Sequence, residues 1–220
     1  MQDIQAVIFD LDNTLLDRSI TFRRFTNAFL ATHLPHLNET EELANRIIDL
    51  DQDGYTDKRV LFSQLLDELP WEQKPELQEL MEFYKSEYVK SAVLMEQAVE
   101  VLGHLRSKYK TGMITNGQTL IQYGKIDQLE LRSHFDTIIV SEEAGIKKPD
   151  PKIFEMAVNR LNVKPEQCIF VGDHPVNDIE GAAAAGMRTV WIQVNQPWRE
   201  GVKAEPLKTI RQLNELLDVL

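Results

Sequence analysis

Beyond residue 93 the hydrophobic pattern changes period in regular alternation. In MEQAVEVLGHLRSKY (95–109), Ala98, Val101, Leu102 and Leu105 fall on one stripe at helical spacing, and KTGMIT (110–115) then reads as a short buried strand. Helical spacing returns around 119–131. A strand at DTIIVS (136–141), a helix over 151–162, a strand at CIFVG (168–172), a helix over 178–186 and a strand at TVWIQV (189–194) follow. Strands alternating with helices predict βα units, and hence a parallel sheet covered by helices on both faces. With AVIFD near the N-terminus as a central strand, the expectation is a doubly wound α/β core, a three-layer Rossmann-like sheet.

Residues 18–93 break that rhythm and contain no convincing strand. FRRFTNAFLATHL, ETEELANRIIDL, KRVLFSQLLDEL and PELQELMEFYKSEYV each carry helical spacing, separated by PHLN, DQDGYT and PWEQK as turns or breakers. Phe22, Phe25 and Phe29 share a stripe and are expected in the core of this segment. The expected organisation is a core domain built from 1–17 and 94–220, with a four-helix domain inserted over 18–93. The sequence shows no internal repeat or low-complexity tract.

Composition narrows the classes. The 220 residues are 43% hydrophobic and 27% charged, which suits a globular chain able to bury a core. No apolar stretch approaches the roughly 18 residues of a spanning helix. MQDIQAVIFD has neither a basic segment nor a long apolar one, so a cytoplasmic protein without a secretory signal is expected. The single cysteine, Cys168, permits no intrachain disulfide and reads as a small buried hydrophobe. A net charge of −11 argues against a sequence-independent grip on nucleic acid. It leaves a small phosphorylated ligand open, for which one lysine and a metal can suffice.

Candidate chemistry follows from the rule that open α/β sheets bind ligands outside the carboxyl ends of their strands. The first strand ends at Asp10, with Asp12 just beyond in FDLDNTLLD; MITNG delivers Thr115 and Asn116; GIKKPDP carries Lys148; GDHPVND carries Asp173 and Asp178. Four acids would then meet a single lysine. Two like charges about 4 Å apart repel by roughly 4 kcal/mol at an effective dielectric of 20. A hard divalent cation bound by oxygens, as Mg²⁺ prefers, would offset them, and the lack of Cys and His ligand pairs argues against zinc.

Together DLDNT (10–14), ITN (114–116), Lys148 before PDP and GDHPVND (172–178) resemble the four ordered motifs of the haloacid dehalogenase-like hydrolase superfamily. The inserted helices resemble that superfamily's C1-type cap. The resemblance implies that Asp10 is the nucleophile, forming an aspartyl-phosphate that water hydrolyses, and that Asp12 protonates the leaving alkoxide and then deprotonates the water. It also implies that Thr115 and the Asn116 N–H bind the phosphoryl group and that Lys148 screens its charge. Mg²⁺ would be held by Asp10, the Asp12 carbonyl and Asp173. Asp178 is left open between holding a metal-bound water and orienting Lys148. Dehalogenase members lack an acid at the position of Asp12, so a phosphatase is implied. Asn13 stands where glycine is commonest, and Lys148 is preferred over Lys147 because it precedes proline.

Each motif alone also has a plain structural reading: an Asx turn at DLDNT, a helix start after Thr115-Asn116-Gly117, a helix cap at Asn177 or Asp178. Tyr55, Lys58 and Arg59 are read first as a polar turn and secondly as contacts to a leaving group. Trp198 is read as surface packing. The resulting expectation is an Mg²⁺-dependent phosphomonoesterase of a small soluble metabolite, a nucleoside monophosphate or a sugar phosphate, with no nucleic-acid or membrane partner and with oligomeric state open. A phosphomutase and a phosphorylation-switched signalling module are the alternatives.

Overall fold

The structure, a computed structural model, describes residues 4–220, so the first three residues of the N-terminal segment considered above lie outside it. The chain divides into two compact units, one of Met1–Asp17 and Leu94–Leu220 and one of Arg18–Val93.

The first unit is an α/β fold around a parallel sheet. Its strands are β1 (Ala6–Phe9), β2 (Lys110–Thr115), β3 (Thr137–Val140), β4 (Cys168–Gly172), β5 (Arg188–Ile192) and β6 (Lys208–Ile210). They run in the order β3-β2-β1-β4-β5-β6 with every pairing parallel. The helices of this unit are α5 (Ala98–Arg106), α6 (Thr119–Gln128), α7 (Ser141–Ala144), α8 (Pro151–Leu161) and α9 (Gly181–Ala184), the last preceded by a wide helical turn at Pro175–Glu180. β6 was not foreseen. Only Ile210 of its KTI is buried, so no periodicity marks it, and its pairing with β5 defines it.

This order is that of a doubly wound sheet. The chain proceeds from β1 outward to β3, returns to the other side of β1 at β4, and winds outward again. The switch point therefore lies between the carboxyl ends of β1 and β4. Both strands are fully buried, which explains why AVIF and CIFV read as unbroken apolar runs. Ile8, Ile114 and Phe170 from the strands pack against Ile153, Phe154 and Ala157 of α8. α8 begins as its sequence predicts: Asp150 accepts from the Lys152 N–H at 3.0 Å and Pro151 occupies the first turn, where its missing N–H costs nothing.

The second unit holds the helices α1 (Arg18–His33), α2 (Glu41–Asp51), α3 (Lys58–Glu68) and α4 (Leu77–Lys90). Its core is aromatic. Phe25 is buried with its ring centroid 5.4 Å from Tyr84 and 6.4 Å from Phe62, both edge-on, the geometry the ring quadrupole favours. Phe22 and Phe29 lie on the same buried face of α1. At one place the unit buries charge: Asp51 lies 2.6 Å from Arg18 and 2.7 Å from Lys58. Lys58 is thus engaged with an acid of its own unit, while Tyr55 and Arg59 are exposed. No helix among the described residues is long and apolar enough to cross a membrane.

Candidate active site

The switch point sets the geometry. Asp10 directly follows β1, and its N–H donates to the carbonyl of Val171 in β4 at 2.9 Å, so the ladder runs one residue past the strand. Asp173 directly follows β4. Carboxylate oxygens of Asp10, Asp173 and Asp178 all lie within 4.8 Å of one another, and all three residues are buried. Asp12 is not in that group.

Lys148 enters from the loop before α8. Its Nζ donates to Asp10 Oδ1 and to Asp178 Oδ1, each at 2.6 Å, while Lys147 is exposed. The loop is fixed through Asn116, whose side chain accepts from the Lys148 N–H at 2.9 Å and donates to the Lys148 carbonyl at 3.0 Å. Asn116 therefore has a function in its side chain that the sequence did not suggest. Asp178 has both oxygens engaged, since Oδ2 accepts from the His174 N–H at 2.9 Å. Its contacts favour the orienting role for Lys148 among the two left open.

The helix cap read at Asn177 or Asp178 is corrected here. His174 caps the turn: its Nδ1 accepts from the N–H groups of Val176 at 3.1 Å and Asn177 at 2.9 Å. Nδ1 must be unprotonated to accept, and burial, which lowers the pKa of His174, favours that neutral ring. The helical stretch accordingly starts at Pro175, earlier than the residue 178 expected. Asp173 is secured from the next strand, its carbonyl accepting from Trp191 Nε1 at 2.7 Å. Trp198 packs on Trp191 with ring centroids 5.0 Å apart, in keeping with its reading as surface packing.

The expectation of four acids facing one lysine needs a second correction. Lys125, from α6, places Nζ 2.6 and 2.7 Å from the two oxygens of Asp12. Gln122 of the same helix donates through Nε2 to Asp12 Oδ2 at 3.0 Å, to the Asn116 carbonyl at 3.2 Å and to the Thr115 hydroxyl. Neither residue is a candidate from the sequence, because both lie within a helix and not at a strand end. A signal existed: on α6 Gln122 and Lys125 share the buried face with Ile121 and Ile126, and polar groups there must have partners.

In the cluster of Asp10, Asp173 and Asp178, Lys148 pairs with Asp10 and Asp178. Burial pushes the Asp10 carboxyl up to about 7, opposed by the charge of Lys148 and reinforced by Asp178 and Asp12. Lys148 moves the other way in spite of its own burial, because Asp10 and Asp178 hold its ammonium protonated well above the usual lysine range. Three clustered carboxylates with oxygen donors only, in excess over the neighbouring cation, are a donor set that fits a hard divalent ion. The arrangement can present one carboxylate oxygen to an electrophile, with a lysine beside it to take up negative charge.

The chain matches the family described as haloacid dehalogenase-like hydrolase over residues 7–192. It is 29% identical to the glyceraldehyde 3-phosphate phosphatase of Pyrococcus furiosus, covering all of this chain and 94% of that protein. It is 36% identical to the pyrimidine 5'-nucleotidase YjjG of Escherichia coli over 56% of this chain and 55% of that one. Among solved structures, the magnesium-bound YfnB of Bacillus subtilis superposes with a TM-score of 0.84 at 23% identity, over all of this chain and 99% of the other. The chain belongs to the haloacid dehalogenase-like hydrolases, as an enzyme acting on phosphoric monoesters.

Proposed function

We propose that the protein is an Mg²⁺-dependent phosphatase of a small phosphorylated metabolite that works through a phosphorylated Asp10. The observation that carries this reading is the cluster of Asp10, Asp173 and Asp178 with Lys148 Nζ at 2.6 Å from both Asp10 and Asp178. Asp10, Asp173 and the Asp12 carbonyl would hold the ion, since the Asp12 side chain is engaged by Lys125 and Gln122. Bound there, the ion would supply positive charge that keeps Asp10 ionised and draws the phosphoryl oxygens to it.

In the first half-reaction an Asp10 oxygen attacks phosphorus and the bond from phosphorus to the ester oxygen breaks. Asp12 gives the departing oxygen its proton, so an alcohol leaves. Lys148 and the Thr115 hydroxyl receive the phosphoryl oxygens, with the Asn116 N–H beside them. In the second half Asp12 takes a proton from water, the water oxygen attacks phosphorus, and the bond to Asp10 breaks to release phosphate. Asp10 is returned as a carboxylate.

The relatives support a small substrate, being named for glyceraldehyde 3-phosphate and for pyrimidine 5'-nucleotides. A sugar phosphate or a nucleoside monophosphate is the proposed class, and the helical unit is proposed to be a C1-type cap that serves leaving-group choice. The test is phosphate release from a panel of such esters with and without Mg²⁺, using the native protein and Asp10→Asn. Asp10→Asn should lose release by at least about a thousandfold, as nucleophile removal does. Full activity in that variant ends the assignment.

A further inference from the structure

Helix α6 turns two polar side chains, Gln122 and Lys125, into the protein interior. Burying an ammonium and an amide is costly unless both are paired. Their partners are therefore informative, and they converge on a single carboxylate. Both oxygens of Asp12 lie within 2.7 Å of Lys125 Nζ, and Gln122 Nε2 adds a contact at 3.0 Å. Residues three apart on a helix share a face, so one rigid element delivers both arms. The same Gln122 amide also reaches the Thr115 hydroxyl and the Asn116 carbonyl, at the end of β2. Lys125 is buried, yet the Asp12 side chain keeps 25% of its exposure. The carboxylate is thus held by α6 and still open to an oxygen arriving from outside.

We propose that Lys125 and Gln122 are positioning residues for the acid–base step. Lys125 fixes the Asp12 carboxylate, and Gln122 ties it to Thr115, so that the group handling the proton and a group receiving the phosphoryl oxygens keep one spacing through both half-reactions. The inference rests on the role of Asp12 proposed above. Lys125 acts through Asp12, whose two carboxylate oxygens it holds, and Gln122 acts through Asp12 and Thr115 together.

The helix itself is set for this task. Its first turn is secured from α7, where Glu142 Oε2 accepts from the Thr119 N–H at 2.7 Å, and the Gly117 N–H donates to Ser141 Oγ at 3.0 Å. A Cβ on Gly117 would approach Gln122 Cδ to 2.9 Å, so the glycine makes room for the amide arm.

The test is rapid-quench kinetics on Lys125→Met. With p-nitrophenyl phosphate the leaving phenolate needs no proton, so phosphorylation of Asp10 should persist as a burst of p-nitrophenol. Hydrolysis of the phosphoenzyme still needs Asp12, so steady turnover should fall by about tenfold to a hundredfold, the range for misplacing a reacting group rather than deleting it. With an alkyl phosphate the burst should be lost as well. Lys125→Arg should recover part of the rate. The decisive measurement is the double variant: if Lys125 acts only through Asp12, then Asp12→Asn/Lys125→Met is no slower than Asp12→Asn. Should Lys125→Met not melt cooperatively, Lys125→Gln, which also removes the charge that holds Asp12, serves in the same cycle. Additive losses in the cycle, or native turnover in the single variant, overturn the proposal. Additive losses with an inactive Asp10→Asn leave the nucleophile standing, whereas phosphoenzyme that survives Asp10→Asn overturns both readings.

Discussion

Asp178 fits beneath the site only because Gly172 has no side chain. A Cβ built there would lie 2.5 Å from Asp178 Cγ and Oδ2, closer than real atoms approach, and Asp178 has no slack because one oxygen holds Lys148 and the other the His174 N–H. Gly172→Ala should therefore push Asp178 off Lys148, with a cost of about 1–3 kcal/mol for overpacking and a fall in kcat of at least about tenfold. Thermal melting and turnover measured together check this, and a variant with native turnover would show that Asp178 is not needed to hold the lysine. Asn13 illustrates the other use of glycine. Its φ of 59° lies in the left-handed region, which asparagine tolerates better than most residues, and this is why an asparagine can stand in DLDNT where glycine is commonest. Asn13 was legible in the sequence as an anomaly, whereas nothing in the sequence set Gly172 apart, because the atoms that crowd it come from Asp178 in the fold.

At the scale of elements, the legible part was whatever a period or a cap records. The strands β1 to β5 and the helix α8 announce themselves through apolar runs, a Pro after Asp150 and a polar turn. β6, with a single buried residue, does not. The turn at Pro175–Glu180 was misread because histidine is not among the usual N-cap residues, whereas Asn177 and Asp178 are. In the fold His174 receives two N–H groups instead, and the turn it starts carries Asp178 to Lys148. His174→Ala should cost about 1 kcal/mol, as loss of a cap does, and should lower kcat by displacing Asp178. His174→Asn restores an acceptor and should lie near the native protein in urea midpoint. Equal destabilisation by alanine and asparagine would show that the ring's packing, not its Nδ1, holds the turn. α6 is the converse case: its helical period is plain, but nothing in that period distinguishes a covering helix from one whose polar arms reach 110 and 113 positions back to Asp12.

For the molecule as a whole, the two units divide chemistry from insertion, and every residue of the candidate site belongs to the unit that contains the sheet. A ligand that binds the folded form alone stabilises it by RT ln(1 + [L]/Kd), about 2.7 kcal/mol at a hundredfold excess over Kd. At roughly 2–4 °C per kcal/mol for a chain of this size, Mg²⁺ should raise the melting temperature by about 5–10 °C. The rise should belong to the transition of the sheet-containing unit. Of the three tryptophans, Trp191 and Trp198 lie in that unit and Trp71 in the other, so Trp71→Phe makes fluorescence report the relevant transition. Because the chain carries a net charge of −11, any cation relieves some self-repulsion, and the comparison must be made at constant ionic strength held with Na⁺. Asp173→Asn keeps the shape of the side chain but removes one of three clustered charges, so it should lose most of the shift while melting near the native temperature without Mg²⁺. A shift of equal size in Asp173→Asn would place the ion elsewhere, and no shift in the native protein at millimolar Mg²⁺ would separate the acidic cluster from metal binding altogether.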